Sequence, residues 1–97
     1  MFLVFLRLGV NRALAPQHVA GHKAWLAEGL ADGVFLLAGS LQDGQGGLVL
    51  AHGTTREALA ARVQLDPFVA EGVVSAEIVA VTPSLADKRL RFLMPKA

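Results

Sequence analysis

Two side chains able to move protons stand in contexts that could use them. His22 lies in His22-Lys23-Ala24-Trp25-Leu26, beside the only tryptophan of the chain, and Asp66 lies in Asp66-Pro67-Phe68. A histidine titrates near neutrality. A carboxylate that accepts from one ring nitrogen fixes the tautomer and leaves the other nitrogen free to move a proton on a substrate. Each residue also has a plainer reading. His22 can be a satisfied helix-face histidine packed beside Trp25, and Asp66 can be the N-cap of a short helix with Pro67 at its first position. The two roles of Asp66 are compatible if a cap uses one carboxylate oxygen and leaves the other free.

Three residues are candidates for holding a substrate: Trp25 as a pocket wall, Ser40 as a hydroxyl at a strand end, and Arg7 as a cation. Trp25 is equally a core aromatic, and Ser40 equally a hydrogen-bonding turn residue. His18 and His22 are four apart, as in zinc-protease helices, but Val19 occupies the place of that motif's glutamate and no third ligand is evident. No metal and no cofactor is expected. Gly44, Gly46 and Gly47 lack the lysine and the following helix of a phosphate loop, so they read as a flexible hairpin. His52 reads as a solvent-edge residue at a strand end.

The elements that must position these groups follow from periodicity. Residues 2–9 form a strand with Phe2, Val4, Leu6 and Leu8 on one face and Leu3, Phe5 and Arg7 on the other, as the two-residue period requires. Pro16 suits the first turn of a helix that runs to about residue 31 and stops at Asp32-Gly33. His22, Trp25, Leu26, Gly29 and Leu30 share its packed stripe at spacings of three and four. Residues 34–41 and 47–52 make a hairpin around a loop rich in glycine. Thr54-Thr55-Arg56-Glu57 has capping-box spacing and opens a second helix to about residue 65, with Leu59 and Val63 on its apolar side. Pro67 disfavours helical geometry at Asp66, so that residue sits at a junction. One more helical turn precedes a last strand over 73–81, which Pro83 closes. A basic tail over 84–97 carries Lys88, Arg89, Arg91 and Lys96 beside Phe92, Leu93 and Met94, and either packs on a neighbour or stays mobile.

The order strand, helix, strand, strand, helix, strand is the split βαβ pattern of an α+β, ferredoxin-like domain with a four-stranded antiparallel sheet. Ninety-seven residues fit one domain. Two helices cover only one face of such a sheet, and the other apolar face needs a partner. The simplest cover is the same face of a second subunit, so a homodimer is expected, with higher oligomers open. A composition 54% hydrophobic and 18% charged points the same way and excludes intrinsic disorder.

A net charge of +1 provides no electrostatic footprint for nucleic acid. Without cysteine there is no disulfide framework, thiolate nucleophile or cysteine-built zinc site. No positive charge precedes the apolar start, Arg7 interrupts it, and no run approaches the ~20 apolar residues of a membrane span. Neither membrane nor export is expected, and the protein reads as cytoplasmic.

In this setting the chain resembles the YciI-like proteins of the dimeric α+β barrel superfamily, which also contains muconolactone isomerase. The matching pieces are His22-Lys23-Ala24-Trp25-Leu26, Leu37-Ala38-Gly39-Ser40-Leu41, Gly46-Gly47, and Asp66-Pro67-Phe68-Val69 followed by Gly72. They lie in order over residues 2–83, so the domain is expected to occupy 1–83 with 84–97 as an appended tail. The resemblance implies a dimeric barrel and puts the family's active-site histidine and aspartate on His22 and Asp66. Where the family often has arginine this chain has Val19, and where it commonly has proline this chain has Ser40. Arg7 and Arg12 are the cations at hand to replace that arginine. The implied function is a small enzyme performing lyase, isomerase or hydrolase chemistry on an unknown small organic molecule. The alternative is a non-catalytic module that binds a metabolite or serves as a dimeric interaction domain.

Overall fold

A computed structural model describes residues 1–96; Ala97, the last residue of the expected tail, lies outside the described residues. Strand β1 (Phe2–Leu8) leads through a 3-10 turn (Arg12–Leu14) into α1 (Ala15–Ala31). The hairpin β2 (Phe35–Ser40) and β3 (Gly46–Ala51) follows, then α2 (Arg56–Gln64), the single turn α3 (Pro67–Ala70), and β4 (Val74–Ala80). The sheet order is β2-β3-β1-β4 and neighbouring strands are antiparallel, the ferredoxin-like arrangement expected from the pattern.

Strand β1 lies inside the sheet, between β3 and β4, and its two faces meet different surroundings. Val4 and Leu6 are buried together with Val49 and Ala51 of β3 and Val74 of β4, under the helices. Cross-strand partners share a face. Leu3 pairs with Leu50 and Val79, Phe5 with Leu48, and Leu37 with Leu50, so these apolar side chains collect on the face without helices. Strand β2 has a register shift between Phe35 and Leu37. That irregularity lets Phe35 enter the helix-side core while Leu37, half exposed, joins the open face.

Helix α1 lies against the sheet through Trp25 and Gly29, its two buried residues. Trp25 packs edge-on to Phe35 at 4.9 Å between centroids, and its Nε1–H donates to the Arg62 carbonyl at 2.9 Å. The Arg62 guanidinium in turn donates to Asp32, at the end of α1, at 2.8 Å, which ties α1 to α2. A Cβ on Gly29 would run into the buried Phe35 ring. Gly29→Ala is therefore expected to destabilise the domain by about 1–3 kcal/mol despite alanine's better helix propensity, because a core ring has nowhere to move. A denaturant melt with an unchanged midpoint would refute this.

Three local expectations are corrected. Leu30 is 46% exposed and lies off the packed stripe, since the contact line is used up by Trp25 and Gly29. The cap of α2 is Thr55, whose hydroxyl accepts from the Ala58 N–H at 3.1 Å; Thr54 donates to the Thr55 carbonyl instead. The tail forms a 3-10 helix (Lys88–Leu93) and touches its own domain, with Phe92 edge-on to His52 at 5.4 Å. Asp87 caps that helix, and the Arg89 backbone N–H, followed by the Arg89 side chain, holds the Asp87 carboxyl below its ordinary range. Among the described residues no helix is long and apolar enough to cross a membrane.

Candidate active site

Asp66 lies between two helices whose ends fix its position. Its backbone N–H donates to the Val63 carbonyl at the close of α2, and its own carbonyl accepts from Val69 and Ala70 in α3. Pro67 follows at the first helical position, where a missing N–H costs nothing. The Asp66 side chain caps α3: Oδ1 accepts from the Phe68 N–H at 3.0 Å. Helix α1 passes close by because Gly21 has no side chain; a Cβ there would sit 3.0 Å from the Pro67 ring. That approach brings the next residue of α1, His22, to the carboxylate.

His22 Nδ1 lies 2.9 Å from Asp66 Oδ1. One oxygen therefore serves both the helix cap and the histidine, whereas the sequence had suggested that the cap would take one oxygen and leave the other for the ring. Oδ2 is buried and meets no donor among the described residues, and Asp66 as a whole is fully buried. With the carboxylate as acceptor, Nδ1 is the donor of this bond, and Nε2 is the ring nitrogen without an intramolecular partner among the described residues. The imidazole plane is held as well as its edge. Phe68 stacks on it at 4.1 Å with 6° between planes, and Trp25 lies behind at 5.9 Å.

His22 lines a cavity of about 480 Å³ between sheet and helices, a size that suits a small organic ligand. Leu6, Leu8, Val49 and Val74 are its floor, Val19, Leu26 and Phe68 its helix side, and the strand ends around Gly39, Ser40, Gly46 and Gly47 its far wall. The surroundings are apolar, with His22, Lys23 and Ser40 as the polar side chains nearest the ligand space.

Of the three residues expected to hold a substrate, the structure brings only Ser40 to this cavity. Trp25 is 7% exposed and belongs to the core, and it borders a second groove between α1 and α2. Three residues on from His22, it shares that residue's side of α1, with the two rings 5.9 Å apart, but its own ring is turned into the core against Phe35. Arg7 is on the open sheet face, with its guanidinium 4.9 Å from the Phe5 ring and 3.8 Å from Glu77. Leu6 and Leu8 face the cavity, so strand alternation sends Arg7 away from it. Arg12, the other cation considered, donates to the Gly9 and Leu8 carbonyls and is not among the cavity's residues. His18 finds no companion ligands; among the described residues no group of three His, Cys, Asp or Glu side chains could hold a metal. Phe68 and Lys23 are cavity residues to which the sequence reading had assigned no task. Lys23 has a usable signal, since it stands one helical turn beyond Val19, and Phe68 has one in its adjacency to the Asp66-Pro67 junction.

No curated protein matches the chain by sequence. A solved structure that is similar in fold is 5-chloro-2-hydroxyhydroquinone dehydrochlorinase from Burkholderia phenoliruptrix AC1100, in complex with 2,5-dihydroxybenzoquinone. It superposes with a TM-score of 0.67 at 16% sequence identity, over 84% of this chain and 94% of that one. The YCII-related domain matches residues 1–83, and the chain belongs to that family.

Proposed function

We propose that the protein is a small enzyme in which His22 acts as general acid and base, oriented by Asp66, on a small organic molecule held in the cavity. The observation that carries this reading is the 2.9 Å contact of Nδ1 with a fully buried carboxylate at an apolar cavity wall. Nε2 takes a proton from a carbon next to a carbonyl, or from a hydroxylated ring, and returns it elsewhere on the same molecule or on a leaving group. Apolar walls strengthen the electrostatics of that transfer by excluding water. Lyase and isomerase steps both fit, and hydrolysis would need a water placed opposite Nε2. The dehydrochlorinase with this fold acts on a hydroxylated ring by its name, and rings of that class are the first to try.

The working unit we propose is a dimer closed through the open sheet face. Leu3, Phe5, Leu37, Leu48, Leu50 and Val79 supply an apolar patch of the kind that soluble monomers rarely expose. Leu50 pairs with both Leu3 and Leu37 and so stands in the middle of it. Leu50→Asp is expected to convert a 2:1 mass into that of a single 10.2 kDa chain by light scattering. A wild type that is monomeric at micromolar concentration defeats the proposal. Within that unit, residues 1–83 are the catalytic domain and 84–97 an appendage, in a cysteine-free chain suited to the cytoplasm.

The competing reading, a binding module in which the same residues only make structure, draws on the capping role of Asp66. A thermal-shift screen of metabolites against wild type and His22→Ala separates the two. A ligand that raises the melting temperature of the wild type, is turned over by it, and is left unchanged by His22→Ala supports the enzyme. Ligands that stabilise both proteins equally and are never transformed support the module.

A further inference from the structure

We infer that Lys23 is the specificity residue of the cavity and that its ligand is a small apolar ring or chain bearing one anionic oxygen group, a carboxylate or a phenolate. The inference rests on the reading of the cavity as the ligand site and deepens it. Its basis is the charge inventory of the walls. Among the described residues, His22 and Lys23 are the ionisable side chains that line the cavity, and no carboxylate does. Asp66 stands behind His22, fully buried, so the pair it forms with the ring offers a ligand no free negative charge.

Lys23 is exposed and makes neither a hydrogen bond nor an ion pair among the described residues. Its neighbours in charge are accounted for elsewhere. Arg7 lies on the opposite sheet face beside Glu77, and Arg12 is spent on the Leu8 and Gly9 carbonyls. On α1, Lys23 lies next to His22 and one turn from Val19, which also lines the cavity, so the flexible stem reaches over the same opening. A lone, hydrated ammonium on a long stem costs little while the cavity is empty. It becomes valuable when an anion enters apolar surroundings, because an unpaired buried charge is expensive. One point charge without backbone nests or an arginine fork matches a monoanion rather than a phosphate, which draws several donors.

The test uses matched pairs of probes in equilibrium binding at low and moderate salt. One arm sets benzoate and cinnamate against their amides; the other sets a nitrophenol, ionised at pH 8, against its methyl ether. Wild type is expected to bind each anion about five- to tenfold more tightly than its neutral partner, with the gap narrowing in salt. Lys23→Gln should abolish the gap without changing affinity for the neutral probes, and Lys23→Arg should keep it. The arm with the larger gap identifies carboxylate or phenolate. A Lys23→Gln protein that keeps the preference, or a wild type that binds neither anion at millimolar concentration, overturns the inference. His22→Asn is the independent control. If it binds the anions normally and no anion is ever transformed by wild type, the acid–base reading fails while the assignment of Lys23 stands.

Discussion

Asp66→Ala is expected to lower the stability of the domain by about 2–4 kcal/mol, equivalent to a fall in Tm on the order of 10–20 °C for a chain of this size. Two losses combine. Removing an N-cap costs about 1 kcal/mol, and stranding the Nδ1–H of His22 removes a buried hydrogen bond worth about 1–3 kcal/mol. Release of the unpartnered Oδ2 from burial offsets part of this. Against the roughly 5–15 kcal/mol that holds a domain together, the remainder is large. Asp66→Asn should behave differently. Asparagine caps as well as aspartate, and its carbonyl can take the place of Oδ1 toward both Phe68 and His22. Its stability is expected within about 1 kcal/mol of wild type, while turnover falls because no negative charge supports the imidazolium formed during proton transfer. Parallel urea melts of the three proteins decide the matter. An alanine variant as stable as the parent means that the bond to His22 and the cap contribute nothing.

The second large effect belongs to His22. On a substrate identified by the metabolite screen, His22→Ala is expected to reduce kcat by about 10²–10⁴-fold, the range contributed by a positioned acid–base group. Alanine also leaves the Asp66 carboxylate with the Phe68 N–H as its one donor among the described residues, so some loss of stability accompanies the loss of rate. His22→Asn separates the two effects. Its side-chain amide can stand near Nδ1 and donate to Asp66, but it has nothing that accepts a proton at the position of Nε2. The expected result is a folded protein with normal ligand affinity and no turnover. Substantial activity in His22→Asn would remove His22 from the chemistry, whatever the melts show.

The fold was legible because β1 is apolar in both registers and the two helices can cover only one of them, which leaves few arrangements for four strands. The His22–Asp66 contact was less so. Residue types and the junction at Pro67 made the pairing reasonable, but the approach of α1 to α3 depends on Gly21, which no periodic pattern marks. Trp25 was misplaced because spacings of three and four define a stripe wide enough to border two grooves, and His22 sits where they divide. For Arg7 the alternation along β1 already held the answer, since Leu6 and Leu8 could not enter the cavity with it. The shift from Thr54 to Thr55 as cap shows the resolution of such readings. Two adjacent hydroxyls compete, the glutamate three residues after Thr54 favours the wrong one, and the actual cap bonds to Ala58.

That one oxygen of Asp66 answers to both α3 and His22 has a consequence for how descendants of this chain would decay. If a lineage gave up the proposed reaction, selection on folding would still hold the aspartate, because the helix turn needs its cap whether or not chemistry occurs. The histidine contributes only its own bond to that carboxylate, whereas the aspartate carries the bond and the cap together, so the histidine is the less protected of the two and would drift first. An aspartate retained before proline in a relative is thus a poor witness to activity, and the histidine one helix away is the better one.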